Sequence, residues 1–134
     1  MRKIALIIVG VVIAGVLLLV SPFVYYACKI AGQRRALQSR SDYPQIAAAC
    51  VTLTRAITNE SALIKPTDPV VPAILRSLSP RYMSASSNHV TLEFHGGFDH
   101  YGYRVRQSDS NPKQWTISYY TEQGERLLTT ISHD

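Results

Sequence analysis

The stretch HGGFDHYGY, residues 95 to 103, sets two of the chain's four histidines and a carboxylate around a pair of glycines. Two imidazoles and one carboxylate, with coordination positions left open, form a workable ligand set for zinc or ferrous iron. His95, Asp99 and His100 are therefore the candidate metal ligands of this chain. They define one functional alternative: a divalent-metal site, or a small hydrolytic site built on it. A second reading of the same residues is equally concrete. A tight hairpin needs glycines for positive φ and often an Asp to bond turn amides, and histidine is common on a wet sheet face. The H-x3-D-H spacing is less specific than a helical H-E-x-x-H, and no further ligand cluster is evident.

The elements that would position these residues follow from periodicity. From Arg81 onward the pattern has period 2. Val90, Leu92 and Phe94 alternate with His89, Thr91, Glu93 and His95; Tyr101, Tyr103 and Val105 alternate with Gly102, Arg104 and Arg106; Trp115, Ile117 and Tyr119 alternate with Thr116, Ser118 and Tyr120. With segments 82–86 and 126–131 this reads as an antiparallel meander of four or five strands, with turns at 87–88, 96–99, 108–113 and 122–125. Burying Leu92 and Phe94 beside Tyr101 and Tyr103 demands the pairs Phe94–Tyr101, Leu92–Tyr103 and Val90–Val105, because a one-residue slip would bury Arg104. That register sets His95 directly opposite His100, with Cβ atoms ~5 Å apart, and leaves Asp99 beside them and Glu93 two residues down the strand. Phe98, at the hairpin tip, either folds back over the sheet or meets a partner.

Ahead of the sheet, Ile46, Cys50, Leu53 and Ile57 recur at spacings of 4, 3 and 4, the signature of an amphipathic helix over 43–59. Asp42 or Ser41 is placed to cap it, and Pro44 suits its first turn. Its apolar face needs a partner, and the sheet supplies one. Cys50 on that face reads as a small buried hydrophobe. Residues 60–72 form a Pro-punctuated connection, and 73–78 a short helix stopped by Ser79-Pro80. The expected fold is α+β: an N-terminal transmembrane helix, then an amphipathic helix packed on a four- to five-stranded antiparallel meander sheet.

The transmembrane expectation rests on Ile4 to Cys28, 25 residues without a charge. About 20 apolar residues in a helix span the hydrocarbon core. A cleaved signal peptide has an apolar region of ~7 to 15 residues, shorter than this one. A lipidated cysteine would need small and Leu-like residues where Tyr25 and Tyr26 precede Ala27-Cys28. Pro22 near the end of the span is expected only to bend it, and Phe23, Tyr25 and Tyr26 fall where an interfacial aromatic belt belongs. Gly10 and Ala14 offer a small-xxx-small contact to another helix. The helix is expected to continue to about Arg40 as a basic stalk. The domain organisation is then 1–41, span and juxtamembrane stalk, and 42–134, a small α+β domain. An apolar N-terminal helix followed by an antiparallel sheet resembles the plan of type IV pilin-like subunits, and that resemblance would imply a filament subunit. It is architectural only, since no Gly-Phe processing site precedes the apolar run and no glutamate sits near its start.

The formal net charge is +5, and its distribution points to lipid. Residues 1–41 hold six basic side chains (Arg2, Lys3, Lys29, Arg34, Arg35, Arg40) and no acid; residues 42–134 hold eight basic and nine acidic ones. Basic residues beside a span attract anionic headgroups. Tyrosines and arginines of the 101–106 strand alternate onto opposite faces, so they form no single stacking platform, and nucleic acid is not an expected partner. Counting charges across the span favours a cytoplasmic domain, whereas a basic N-terminus before a long apolar run is a signal-anchor pattern that exports it; the side stays open. Two cysteines imply no disulfide framework. Ser84, Ser86 and Ser87 cluster without a G-x-S-x-G elbow, and no P-loop or Rossmann glycine pattern occurs. These residues lead to a membrane-anchored, non-catalytic interaction or accessory module. Its partners would be the bilayer and a protein in or at the membrane, with no cofactor beyond the possible divalent metal.

Overall fold

The computed structural model describes residues 2–57, 62–96 and 99–133. The chain forms two compact units, Met1–Ser39 and Arg40–Asp134. The first is a single helix, α1 (Arg2–Gln38), of 37 residues. The apolar side chains of its uncharged run, Ile4–Cys28, are exposed, with Leu18 77% and Phe23 76% accessible. A helix apolar around its whole circumference suits hydrocarbon better than water, and α1 is long and apolar enough to cross a membrane. Pro22 lies inside α1 without ending it. The missing amide removes one hydrogen bond, and the others carry the helix through to Gln38.

The second unit contains α2 (Tyr43–Ala56), β1 (Ala62–Ile64), α3 (Ala73–Ser77), β2 (Tyr82–Ala85), β3 (His89–His95), β4 (Tyr101–Gln107), β5 (Gln114–Thr121) and β6 (Gly124–Ser132). The strands form one antiparallel sheet in the order of the chain. The sheet has six strands where four or five were expected. β3 to β5 are the segments that the alternation marks, and β2 and β6 the segments expected to flank them; the extra strand is β1, three residues from the Pro-punctuated connection, paired with β2 through Leu63–Ser84. Three residues are too few to display a period of 2, and Leu63 is 78% exposed, so nothing in their types separates them from loop.

Two expectations for α2 are corrected. It ends at Ala56 instead of residue 59, because Ile57 turns to extended backbone (φ −100°, ψ 121°). Residues 58 and 59 lie outside the described residues. Its first turn carries Pro44 as anticipated, but neither Asp42 nor Ser41 is seen capping it: Asp42 makes no side-chain capping bond. The Asp42 carboxylate instead accepts two hydrogen bonds from Arg40, at 2.7 and 2.6 Å. That fork holds the Asp42 carboxyl below the usual carboxylate range.

Ile46, Ala47, Cys50, Val51 and Leu53 of α2 are buried, as are Met83, Val90, Leu92, Tyr103, Val105 and Ile117 of the sheet. Each fully buried aliphatic side chain contributes about 1.5–3 kcal/mol. Tyr43 at the start of α2 meets Tyr103 edge-on, ring centroids 6.0 Å apart. Burial pushes the Cys50 thiol far up, which keeps it un-ionised. α3 ends where Ser79 takes a left-handed φ of 52° and donates its N–H to the Arg76 carbonyl at 2.9 Å, just before Pro80.

Candidate functional site

The hairpin β3–β4 follows the expected register over most of its length, with Val90 opposite Val105 and Leu92 opposite Tyr103. Near its tip the register shifts between Glu93 and His95, so that Glu93 faces Gly102 and His95 faces Tyr101. One extra residue on β3, a β-bulge, replaces the expected Phe94–Tyr101 pair. Phe94 packs edge-on against Tyr103, centroids 5.4 Å apart. The His95 ring lies parallel to the buried Tyr101 ring at 5.8 Å, and its Nδ1 is 3.2 Å from the Asp99 carbonyl oxygen. His100 goes the other way: its Nδ1 stands 3.3 Å from Glu93 Oε1.

The opposition of His95 and His100 therefore does not form. A bulge turns the residues after it by one position, and His95 joins the face of Tyr101 while His100 stays with Glu93. Asp99 meets His95 through its backbone carbonyl. Among the described residues, no group of three or more His, Cys, Asp and Glu side chains converges as a metal site. Gly97 and Phe98 lie outside the described residues, and with them the expectation for the Phe98 ring.

Gly102, the partner of Glu93 on the near side of the bulge, allows a close approach of the two strands. A Cβ at this position would stand 2.0 Å from the Leu92 carbonyl oxygen and 2.9 Å from Tyr120 Cε1. Only glycine lets the two backbones approach this closely while the Tyr120 ring lies over the strand. Burial raises the Tyr120 hydroxyl to about 12. The Arg104 guanidinium stacks over the same ring, 4.7 Å from its centroid.

From Tyr120 the polar face of the sheet continues as a connected set of charges. Arg104 donates to Glu125 Oε2 at 2.9 Å, and Arg106 stands 3.8 Å from the same oxygen. Beside them a hollow of about 450 Å³ opens between Asn88, His89, Thr91, Arg104, Arg106 and Asp109. The register places His89 opposite Arg106 and Thr91 opposite Arg104, so four polar side chains form a square on one face.

His89 is fixed from behind by the β2–β3 turn. Its Nδ1 is 2.5 Å from Ser86 Oγ and 3.2 Å from Asn88 Oδ1, and Ser86 Oγ donates to Asn88 Oδ1 at 3.0 Å. An arrangement that satisfies all three has Nδ1–H donating to Ser86 and the Ser86 hydroxyl donating to Asn88, which leaves Nε2 as the remaining polar atom of the ring. Ser86 is 4% exposed, so this Ser–His contact is the closure of a turn, with the hydroxyl inside it.

Residue types alone do not single out this hollow. Arg104 and Arg106 lie two apart on a strand, which does put them on one face, but His89 and Glu125 reach them only through the pairing of four strands, β3 to β6, and Asp109 through the loop after β4. The square of His89, Thr91, Arg104 and Arg106 is implicit in the Val90–Val105 register, and that was the signal available. Comparison with family models, with curated proteins and with solved structures gave no match.

Proposed function

We propose that the chain is a single-pass membrane protein in which α1 is the span and residues 42–134 form a non-catalytic interaction or accessory module. The observation that carries this reading is α1: an unbroken helix whose apolar side chains are exposed over its whole apolar run. Lys29, Arg34 and Arg35 follow that run and would sit among the headgroups, each worth about 1 kcal/mol near an anionic surface. In the domain, α2 buries one face and comes close to β3, β5 and β6, which supports a helix packed on the apolar side of the sheet. The polar side is then the surface offered to a partner. A non-catalytic role is supported by the fate of the candidate reacting groups: His95 stacks on Tyr101, His100 pairs with Glu93, and Ser86 is enclosed.

Membrane extraction tests the proposal. The full chain should stay with membranes washed in alkaline carbonate and be released by detergent. Val12→Arg combined with Leu17→Arg should abolish that retention, since each central arginine costs about 2.5–3.5 kcal/mol of insertion. Recovery of the unsubstituted chain in the soluble fraction, without detergent, would overturn it.

A further inference from the structure

We propose that the polar hollow between β3 and β4 is a binding site for a phosphate monoester, held by the guanidiniums of Arg104 and Arg106. The two arginines project from one face of β4 at adjacent same-face positions, a spacing that one tetrahedral oxyanion with three terminal oxygens can bridge. Glu125 accepts one N–H of Arg104 and lies 3.8 Å from Arg106, so most donors of both forks remain available to a ligand. The same carboxylate, with the Tyr120 ring beneath Arg104, holds that guanidinium in place before any ligand arrives. Pre-ordering of this kind lowers the entropic cost of binding.

The other walls fit the same ligand. Thr91 supplies a donor across the strand pair, and His89, with its proton on Nδ1 toward Ser86, offers Nε2 as an acceptor for the hydroxyl of a singly protonated phosphate ester. A cavity of about 450 Å³ is several times larger than a phosphate group, which leaves room for the organic part of an ester. Asp109 opposes binding: it places a negative charge at the rim, so its removal should help. The inference is independent of whether α1 crosses a membrane, because every residue it uses belongs to the second compact unit.

Titration calorimetry on the full chain in neutral detergent micelles provides the test, with inorganic phosphate and glycerol 3-phosphate as soluble probes. A parallel arm uses the chain in nanodiscs, with and without phosphatidic acid, read by the exposure-dependent labelling of an Asp109→Cys variant, which keeps both arginines and places the label at the rim of the hollow. Binding of either soluble probe that falls about tenfold or more in Arg106→Gln, and rises in Asp109→Asn, supports the site with a free phosphate ester as ligand. Protection of position 109 only in phosphatidic-acid discs supports it with a lipid headgroup as the source of the phosphate. Arg106 is half exposed, so its replacement leaves the fold intact, and an unchanged melting curve verifies that. Heat or protection that persists unchanged in an Arg104→Gln/Arg106→Gln chain, or the absence of both signals, overturns the proposal.

Discussion

The two ends of β3 carry the same residue type on what the sequence presents as the same face, yet they finish differently. At the first end, His89 pairs with Arg106 in unbroken register and keeps its place on the polar side. At the second, the bulge before His95 carries that residue round to Tyr101. A histidine on an alternating strand is thus placed by the backbone hydrogen-bond ladder, and one inserted residue outweighs a perfect pattern of side-chain types. The regular end builds a hollow with a braced imidazole; the bulged end separates the residues that would have converged.

The largest effect that can break this contrast lies at Gly102, the partner of Glu93. Gly102→Ala places a methyl group 2.0 Å from the Leu92 carbonyl oxygen, a backbone atom that moves only with its strand. The expected cost is about 3 kcal/mol or more, read as a lowered midpoint in denaturant unfolding. A loss below 1 kcal/mol would mean that the strands separate easily there, and the bulge would no longer be anchored by close backbone approach.

An intermediate effect sharpens the regular end. Ser86→Ala removes a buried hydroxyl that both Asn88 Oδ1 and His89 Nδ1 use. About 1–2 kcal/mol should be lost, the cost of leaving a buried partner unsatisfied. Because His89 would lose its brace, the hydrogen exchange of its ring and of the neighbouring turn amides should accelerate, while the amides of 101–103 stay protected. Uniform acceleration across both ends would show a general loosening of the sheet instead.

Legibility in the sequence follows the same division. The uncharged run of α1 and the alternation in β3 to β5 are each long enough to declare themselves, and the need to keep Arg104 out of the core selected the Val90–Val105 register that the structure has. β1 was illegible because three residues show no period. The bulge was illegible for a different reason: residues 89 to 95, HVTLEFH, alternate without a fault, and the shift arises only in the pairing with β4, between the Glu93–Gly102 and His95–Tyr101 pairs. Asp42 likewise offers a capping residue by type, and only the neighbouring Arg40 determines where its carboxylate goes. The hollow follows from the same register, but its members share no motif or spacing along the chain and come together only where β3 pairs with β4.

The smallest expected effects discriminate best between one shared site and two separate histidines. His95→Ala removes a ring stacked on Tyr101 and should cost about 1 kcal/mol. His100→Ala removes a side chain that is half exposed and paired with Glu93 at 3.3 Å, a surface contact worth no more than about 0.5 kcal/mol. Repeating both measurements with zinc present makes the comparison decisive, since a ligand that binds only the folded state raises the midpoint by mass action. Two histidines that shared an ion would lose the same increment in either variant. With His95 directed to Tyr101 and His100 to Glu93, the unequal costs should persist and zinc should add no common increment. An equal, zinc-dependent loss in both variants would mean that the hairpin closes around a metal by taking up the regular register, undoing the bulge.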